Sequence, residues 1–353
     1  MKVEVSYVTT LPLQGVNPKV TIHSKENTTY YVTFIDMAKD EVVASGCVQS
    51  GGAISASRNW FTWWKIKVYK GNECVYSTRF DPTDKVVFIK CDARALGDNL
   101  AWVPYFEEFR KAHNCKVICS TFFNELFEKE YPNLLFVAPN TRIGNVYAQY
   151  YVGTQKPDNY IYSPRPYGKI RLQETPTDIL GLPFKELKAK ITKPKVAKTK
   201  TICISEHGSS PIKEWGGNWQ FVVNYLVSEG YEVKVISKEP TTLKNVTNKT
   251  GDFPLAERIK DLCEAEFFIG VSSGLSWLAH SCDTYVFIIS DHTPKDHEFS
   301  EDCTRIYSDK CMDEVIQELV KSGITAIQVV ETIKVKIGAL CVSDRLDCNS
   351  IVV

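Results

Sequence analysis

The chain has no excess of charge: 42 Lys and Arg stand against 42 Asp and Glu over 353 residues. That neutrality argues against a protein held on DNA or an anionic membrane by bulk charge. An apolar run of about 18 residues is also missing, so no transmembrane helix is expected. The first residues, MKVEVSYVTTLPLQG, carry one Lys, an early Glu and no long apolar stretch. They do not read as a secretory signal. No CxxC pair occurs, the closest cysteines being Cys115 and Cys119. The absence of a GxGxxG fingerprint and of a Walker motif counts against dinucleotide and P-loop chemistry.

What is present is the balance of an ordinary globular protein, 44% hydrophobic and 24% charged. At about 150 residues per domain, the length implies roughly two to three domains. The 12 cysteines are expected to be reduced thiols, because no signal marks an oxidising compartment. Cys91, Cys119 and Cys203 sit in apolar, strand-like runs where a buried thiol fits. The sequons at Asn27, Asn245 and Asn248 carry no weight without secretion.

Residues 1–84 hold short β-branched and aromatic runs such as YYVTFID and WFTWWKIKVY, separated by turn residues. They predict a small antiparallel sandwich or barrel. The texture then changes. VVFIKC (86–91), KVICS (116–120) and LLFVAP (134–139) alternate with helical stretches, the signature of a parallel sheet. Pro104 should bend the first of those helices. Residues 85–184 form this first Rossmann-like domain, and the Lys-rich stretch 185–200 reads as a solvated linker. A second βαβ series fills 201–322. In it, a helix over 218–229 has Trp219, Val222, Val223, Leu226 and Val227 on one face and Gly230 past its end. Further helices are expected at 254–264, 275–282 and 312–322. A tail occupies 323–353, and within it residues 324–342, with Ile333, Val335 and Ile337 alternating, read either as a strand or as a docked segment. The expected fold is α/β, with two Rossmann-like domains facing a cleft after a small antiparallel β domain. GT-B glycosyltransferases share that plan with dehydrogenases, periplasmic binding proteins and some kinases, so fold alone does not choose.

Three segments carry candidate chemistry. In VSSGLSW (271–277) a buried strand ends and a helix begins. Ser272, Ser273 and Gly274 would let a pyrophosphate approach the free N–H groups there. The plain alternative is a βα turn with a Ser cap. In HGSSPIKEWGGNWQ (207–220), Lys213 could neutralise a phosphate. Ser209 and Ser210 could donate hydroxyls there, and Trp215 could wall a sugar or base. The alternative is a surface loop. In ALGDNLAW (95–102), Asp98 could act as general base or merely cap a helix.

These residues also carry a resemblance. VVFIKCDARALGDNLAW through LLFVAPNT, FTWWKIKVY, DILGLPFKE, the EWGG loop, GYEVKVISKE and FFIGVSSGLSWLAHS are similar, in order over residues 28–320, to the bacterial autotransporter heptosyltransferases. These are GT-B enzymes related to the lipopolysaccharide heptosyltransferases. The resemblance implies a cytoplasmic transfer of heptose from ADP-heptose to Ser hydroxyls of an autotransporter adhesin, without a donor metal. It implies that Asp98 is the base and that Lys213 holds the donor phosphates. Ser273, Gly274 and Leu275 would present backbone donors to the pyrophosphate. Lys238 and Glu239, ending a strand, would lie near the nucleotide, with Trp215 and Trp277 as walls. Another nucleotide sugar, a glycan or DNA acceptor, and a non-catalytic partner-binding module remain alternatives.

One departure from the family concerns an iron-binding finger with a CxxC pair, which follows the strand matching YVFIIS. Here DHTPKDHEFSEDCTRIYSDKC (291–311) is short and lacks CxxC, and only Cys311 matches a finger position. His292, His297, Cys303 and Cys311 are the alternative four-ligand set. Two His among many acids otherwise read as surface, and no metal is the expectation. The family's finger sits where subunits assemble, so a homo-oligomer stays open.

Overall fold

The computed structural model describes residues 1–8, 18–56, 58–91, 93–153, 163–165, 170–208, 210–294, 296–307 and 325–347, with side chains of the last segment described to 338. Ser209, Cys311 and the helix expected at 312–322 lie outside the described residues. The chain divides into two compact units, Met1–Lys190 and Ile191–Val353.

The first unit opens with antiparallel strands β1 (Lys2–Ser6), β2 (Lys19–His23), β3 (Thr29–Asp36), β4 (Glu41–Gln49), β5 (Ala53–Ser55), β6 (Trp64–Lys70) and β7 (Glu73–Arg79). They form one sheet in the order β1-β2-β5 and another in the order β4-β3-β6-β7. Alternation drives this. Tyr30, Val32 and Phe34 of β3 and Trp64, Ile66 and Val68 of β6 are buried, and their neighbours turn outward.

A parallel sheet follows, made of β8 (Val86–Cys91), β9 (Lys116–Ser120), β10 (Leu134–Val137) and β11 (Ala148–Val152), in the order β10-β9-β8-β11. The helical stretch after β8 is two helices, α1 (Leu96–Trp102) and α2 (Pro104–His113). Pro104 occupies the first turn of α2, where its missing N–H costs nothing. This corrects the single bent helix. α3 (Asn124–Phe127) and α4 (Glu174–Leu180) complete the described helices of the unit. Gly181 ends α4 at φ +65°, against the Phe61 ring, where a Cβ would come within 2.4 Å.

Residues 182–198 form neither helix nor strand. They are not simply solvated, however. Lys193 pairs with Asp283, and Lys198 Nζ donates to the Ala265 carbonyl at 2.6 Å and to Thr284 Oγ1 at 2.9 Å. Burial pulls the Lys198 ammonium below its usual pKa.

The second unit is built on β12 (Thr199–Ser205), β13 (Glu232–Val235), β14 (Thr247–Asn248), β15 (Ala265–Val271), β16 (Tyr285–Ile289) and β17 (Cys303–Ile306). All pair in parallel, in the order β14-β13-β12-β15-β16-β17. Numbered from β12, this is the 3-2-1-4-5-6 order of dinucleotide-binding sheets. Its described helices are α5 (Trp219–Ser228), α6 (Leu255–Glu264), α7 (Gly274–Ser281) and α8 (Ala326–Asp347). Asn218 caps α5 by accepting from the Phe221 N–H at 3.0 Å, and Gly230 leaves it at φ +80° as expected. The tail expected as a strand or docked segment is α8, with Val329, Val330 and Ile333 buried against the β12–β17 core. Spacings of one, three and four mark a helical stripe, which short-range alternation had obscured. Among the described residues, no helix is long and apolar enough to cross a membrane.

Candidate functional site

β12 and β15 are neighbours in the sheet, with Ser205 opposite Gly270. The connections diverge at this pair, so their carboxyl ends form the switch point where open α/β sheets bind ligands. HGSSPIKEWGGNWQ leaves β12 and VSSGLSW leaves β15. The two segments meet: a Cβ on Gly208 would stand 3.2 Å from Lys213 Cβ and 3.4 Å from Val271 Cγ2. Pro211–Lys213 make a single 3₁₀ turn, closed by the Lys213 N–H donating to the Ser210 carbonyl at 2.9 Å. Lys213 is half-buried and makes no ion pair among the described residues. Burial pushes the imidazoles of His292 and His297 below their usual pKa. The Arg305 and Lys213 cations push them the same way, which places positive charge at this edge.

α7 opens at the end of β15. Ser273 precedes it in extended conformation (φ −152°) and makes no side-chain cap, and its Oγ is buried without a partner. Ser276 Oγ donates to the Val271 carbonyl at 2.7 Å. Gly274 and Leu275 are half-buried. The first N–H groups of α7 therefore have no capping side chain, and they sit at the positive end of its dipole. Such an end receives a phosphate. Ser272 is buried, and its hydroxyl is committed to Glu298.

Other expected residues fall differently. Trp215 is 4% exposed, edge-on to Trp219 at 5.0 Å and folded over Gly217, so it is a core residue and cannot wall a sugar. Trp277 is equally buried, edge-on to Phe299. Their large apolar rings are drawn into the core, which their sequence positions did not disclose. Lys238 and Glu239 do not end a strand. β13 stops at Val235, and both residues are exposed in the following loop, with Lys238 3.8 Å from Asp252.

In the first unit, Asp98 is half-buried in the first turn of α1, and the cap position belongs to Ala95. The capping alternative therefore fails. The loop between β8 and α1 is fixed by the buried Asn99, whose Nδ2 donates to the carbonyls of Ala93 and Ala95, both at 2.8 Å.

The stretch 291–299 is not the surface that its acids suggested. Asp291, His297, Glu298 and Phe299 are all buried. Among the described residues no group of three or more His, Cys, Asp or Glu could hold a metal ion, and Cys311 of the alternative set His292, His297, Cys303 and Cys311 lies outside them. The composition hid a polar network: Glu298 accepts from Ser272, Thr293 and Arg305. The signal in the sequence was Arg305, a lone cation inside the strand CTRI.

No protein-family model matches the chain. It is 30% identical over 271 residues to the autotransporter heptosyltransferase BAHTCr of Citrobacter rodentium, spanning 72% of this chain and 66% of that relative. With the autotransporter heptosyltransferase TibC of Escherichia coli it shares 29% identity over 290 residues, spanning 76% of this chain and 71% of TibC. A crystal structure of TibC, an iron-containing dodecameric glycosyltransferase, superposes with a TM-score of 0.78 at 25% identity, over 88% of this chain and 83% of that one. A second TibC structure, in complex with ADP-D-β-D-heptose, gives the same score at 24% identity and shows the same fold. BimC of Burkholderia thailandensis, an inactive autotransporter heptosyltransferase, is 27% identical over 277 residues, 74% of this chain and 66% of BimC. Aligned over about two thirds of its length or more with each of these relatives, and built on the GT-B heptosyltransferase fold, the chain belongs to the autotransporter heptosyltransferase family.

Proposed function

We propose that this chain is an inverting glycosyltransferase that moves heptose from ADP-heptose onto a serine hydroxyl of an autotransporter-type protein. The observation that carries the reading is the packing of Gly208 between the Lys213 stem and Val271, at the ends of β12 and β15, with the uncapped start of α7 three residues beyond Val271. A fixed cation and oriented N–H groups suit a pyrophosphate, and the ADP-heptose complex of TibC, which shares the fold, supports that donor.

The chemistry follows from the residues. The acceptor hydroxyl gives its proton to the Asp98 carboxylate, and its oxygen attacks the anomeric carbon. The bond from that carbon to the β-phosphate oxygen breaks, and the electron pair leaves with ADP. One displacement inverts the anomeric centre, and a second catalytic carboxylate has no task. The charge that grows on the leaving diphosphate is met by the N–H groups of Ser273, Gly274 and Leu275 and by Lys213. Preorganised donors of this kind stabilise developing charge. Ser209, Ser210, Lys238 and Glu239 complete the donor side. On this reading the reaction is cytoplasmic and the protein forms a homo-oligomer, as TibC does.

The test is incubation of the full chain with ADP-heptose and an autotransporter passenger protein, read by mass spectrometry of the acceptor. Heptose additions that need Asp98 and Lys213 support the proposal. A UDP-sugar or a glycan acceptor that works in their place would change the donor or the acceptor. BimC gives a second reading its basis, since a relative of the same family is inactive. ADP binding by calorimetry with no transfer to any acceptor would make this chain a binding module.

A further inference from the structure

Behind the turn that opens α7 lies a charged group with no task in the reaction above. Glu298 is 7% exposed. One carboxylate oxygen accepts from the Ser272 hydroxyl and, at 3.1 Å, from Thr293 Oγ1. The other pairs with Arg305 Nη1. Arg305 Nη2 donates to the Ser290 carbonyl at 3.2 Å, to the Thr293 carbonyl at 2.8 Å and to Thr293 Oγ1 at 2.7 Å. Ser272 directly follows β15, Ser290 directly follows β16, and Arg305 lies in β17. One carboxylate and one guanidinium thus tie together the ends of three adjacent strands.

Burying such a pair is costly, and apolar side chains would pack the space at least as well. What the pair fixes is the turn Ser272–Ser273–Gly274. A bare carboxylate beside an anion site would repel the anion. Arg305 cancels that charge and leaves the bond to Ser272 in place.

We propose that Glu298, balanced by Arg305, is a positioning residue for the donor. It holds Ser272 so that the N–H groups at the start of α7 keep the geometry that receives the pyrophosphate of a nucleoside-diphosphate sugar. The Ser272 hydroxyl then serves the turn and not the ligand. The inference rests on the donor site proposed above.

The test is calorimetric binding of ADP to the full chain, its Ser272→Ala and Glu298→Ala variants and the double variant, together with steady-state kinetics on ADP-heptose. Each single change should weaken ADP by about tenfold, and the double should be no weaker than the worse single, because both remove one link. KM for the donor should rise and kcat should fall with it, because the same N–H groups hold the bound pyrophosphate and meet the charge that grows on it as the bond breaks. A purely structural role would lower the melting temperature and leave the ADP affinity alone. Unchanged ADP affinity in the folded variants, or losses that multiply in the double, would overturn the proposal. Ser272→Ala removes a single oxygen and keeps the test valid if Glu298→Ala does not fold. A wild-type chain that binds no nucleoside diphosphate would overturn the donor site itself, a result distinct from variants that bind ADP as well as the wild type does.

Discussion

Gly208 lies against the stem of Lys213, so close that a Cβ at 208 would stand 3.2 Å from Lys213 Cβ. The missing side chain at 208 leaves the lysine stem its room beside the ends of β12 and β15. Lys213→Ala should weaken ADP binding by about 10- to 100-fold, the worth of a charge-assisted contact of about 1.5–3 kcal/mol. Gly208→Val should displace the stem and weaken ADP several-fold with Lys213 intact. Calorimetry on both variants checks this. Equal affinity in Gly208→Val and wild type would show that the lysine's position is not set by this contact.

Asp98→Asn keeps size and hydrogen-bonding capacity and removes the carboxylate proposed as the base. Transfer should fall by about 10²- to 10⁴-fold. ADP affinity should stay within about twofold, because Asp98 belongs to the other unit and its proposed partner is the acceptor, not the nucleotide. Transfer assays at saturating donor, paired with ADP titrations, separate the two quantities.

Stability should depend on pH through two imidazoles, the half-buried His113 and the buried His297. His113 stacks on Phe61 at 4.5 Å, and its Nε2 is buried without a partner. His297 is buried, with its Nδ1 equally unpartnered. Burial lowers both pKa values from the usual 6.5. The unfolded chain therefore binds more protons in the window below 6.5. The stabilisation is complete above that value and is lost as the pH falls through the lower, folded pKa values. The melting temperature should rise from pH 5 and level off above about pH 7. His113→Phe, which keeps the stacking ring, should flatten part of that rise. A slope identical to wild type would remove His113 from the explanation.

The cysteines should differ sharply in reactivity. Cys47 and Cys74 are exposed, whereas Cys91, Cys115, Cys119 and Cys203 are buried. Burial pushes the Cys115 thiol up to about 11 and Cys203 up to about 12. Cys263 is also buried but is the exception: its hydrogen bond with Cys282 pulls its thiol below the usual range. Iodoacetamide at pH 7.5 should label Cys47 and Cys74 first and Cys263 more slowly. The other four should react only after denaturation. Peptide mapping over time reads the order, and early labelling of Cys119 or Cys203 would contradict the packing described here.

Much of this was legible in the chain. The continuous apolar runs of β8, β12, β15 and β16 announce strands covered on both faces, and the alternation in β3 and β6 announces a half-buried sheet. Asn218 and Gly230 bracket α5 by chemistry that acts over a few residues. The turns carrying Asp98, Lys213 and Ser273 could be found for the same reason, since each sits where a strand run breaks into a helix pattern. Family membership was also visible, because it rests on ordered motifs.

Other features were decided only in three dimensions. Trp215 reads as a loop aromatic and folds back into the core, because burying its ring depends on Trp219 and Gly217 being there to meet it. Glu298 sits in an acidic, surface-like string. It is buried beside Arg305, seven residues on in the strand that follows, which neutralises it. Sequence fixes the period and the caps, which are local. The partner of a buried charge is set by which strand ends the sheet order brings side by side, and no local pattern encodes that order.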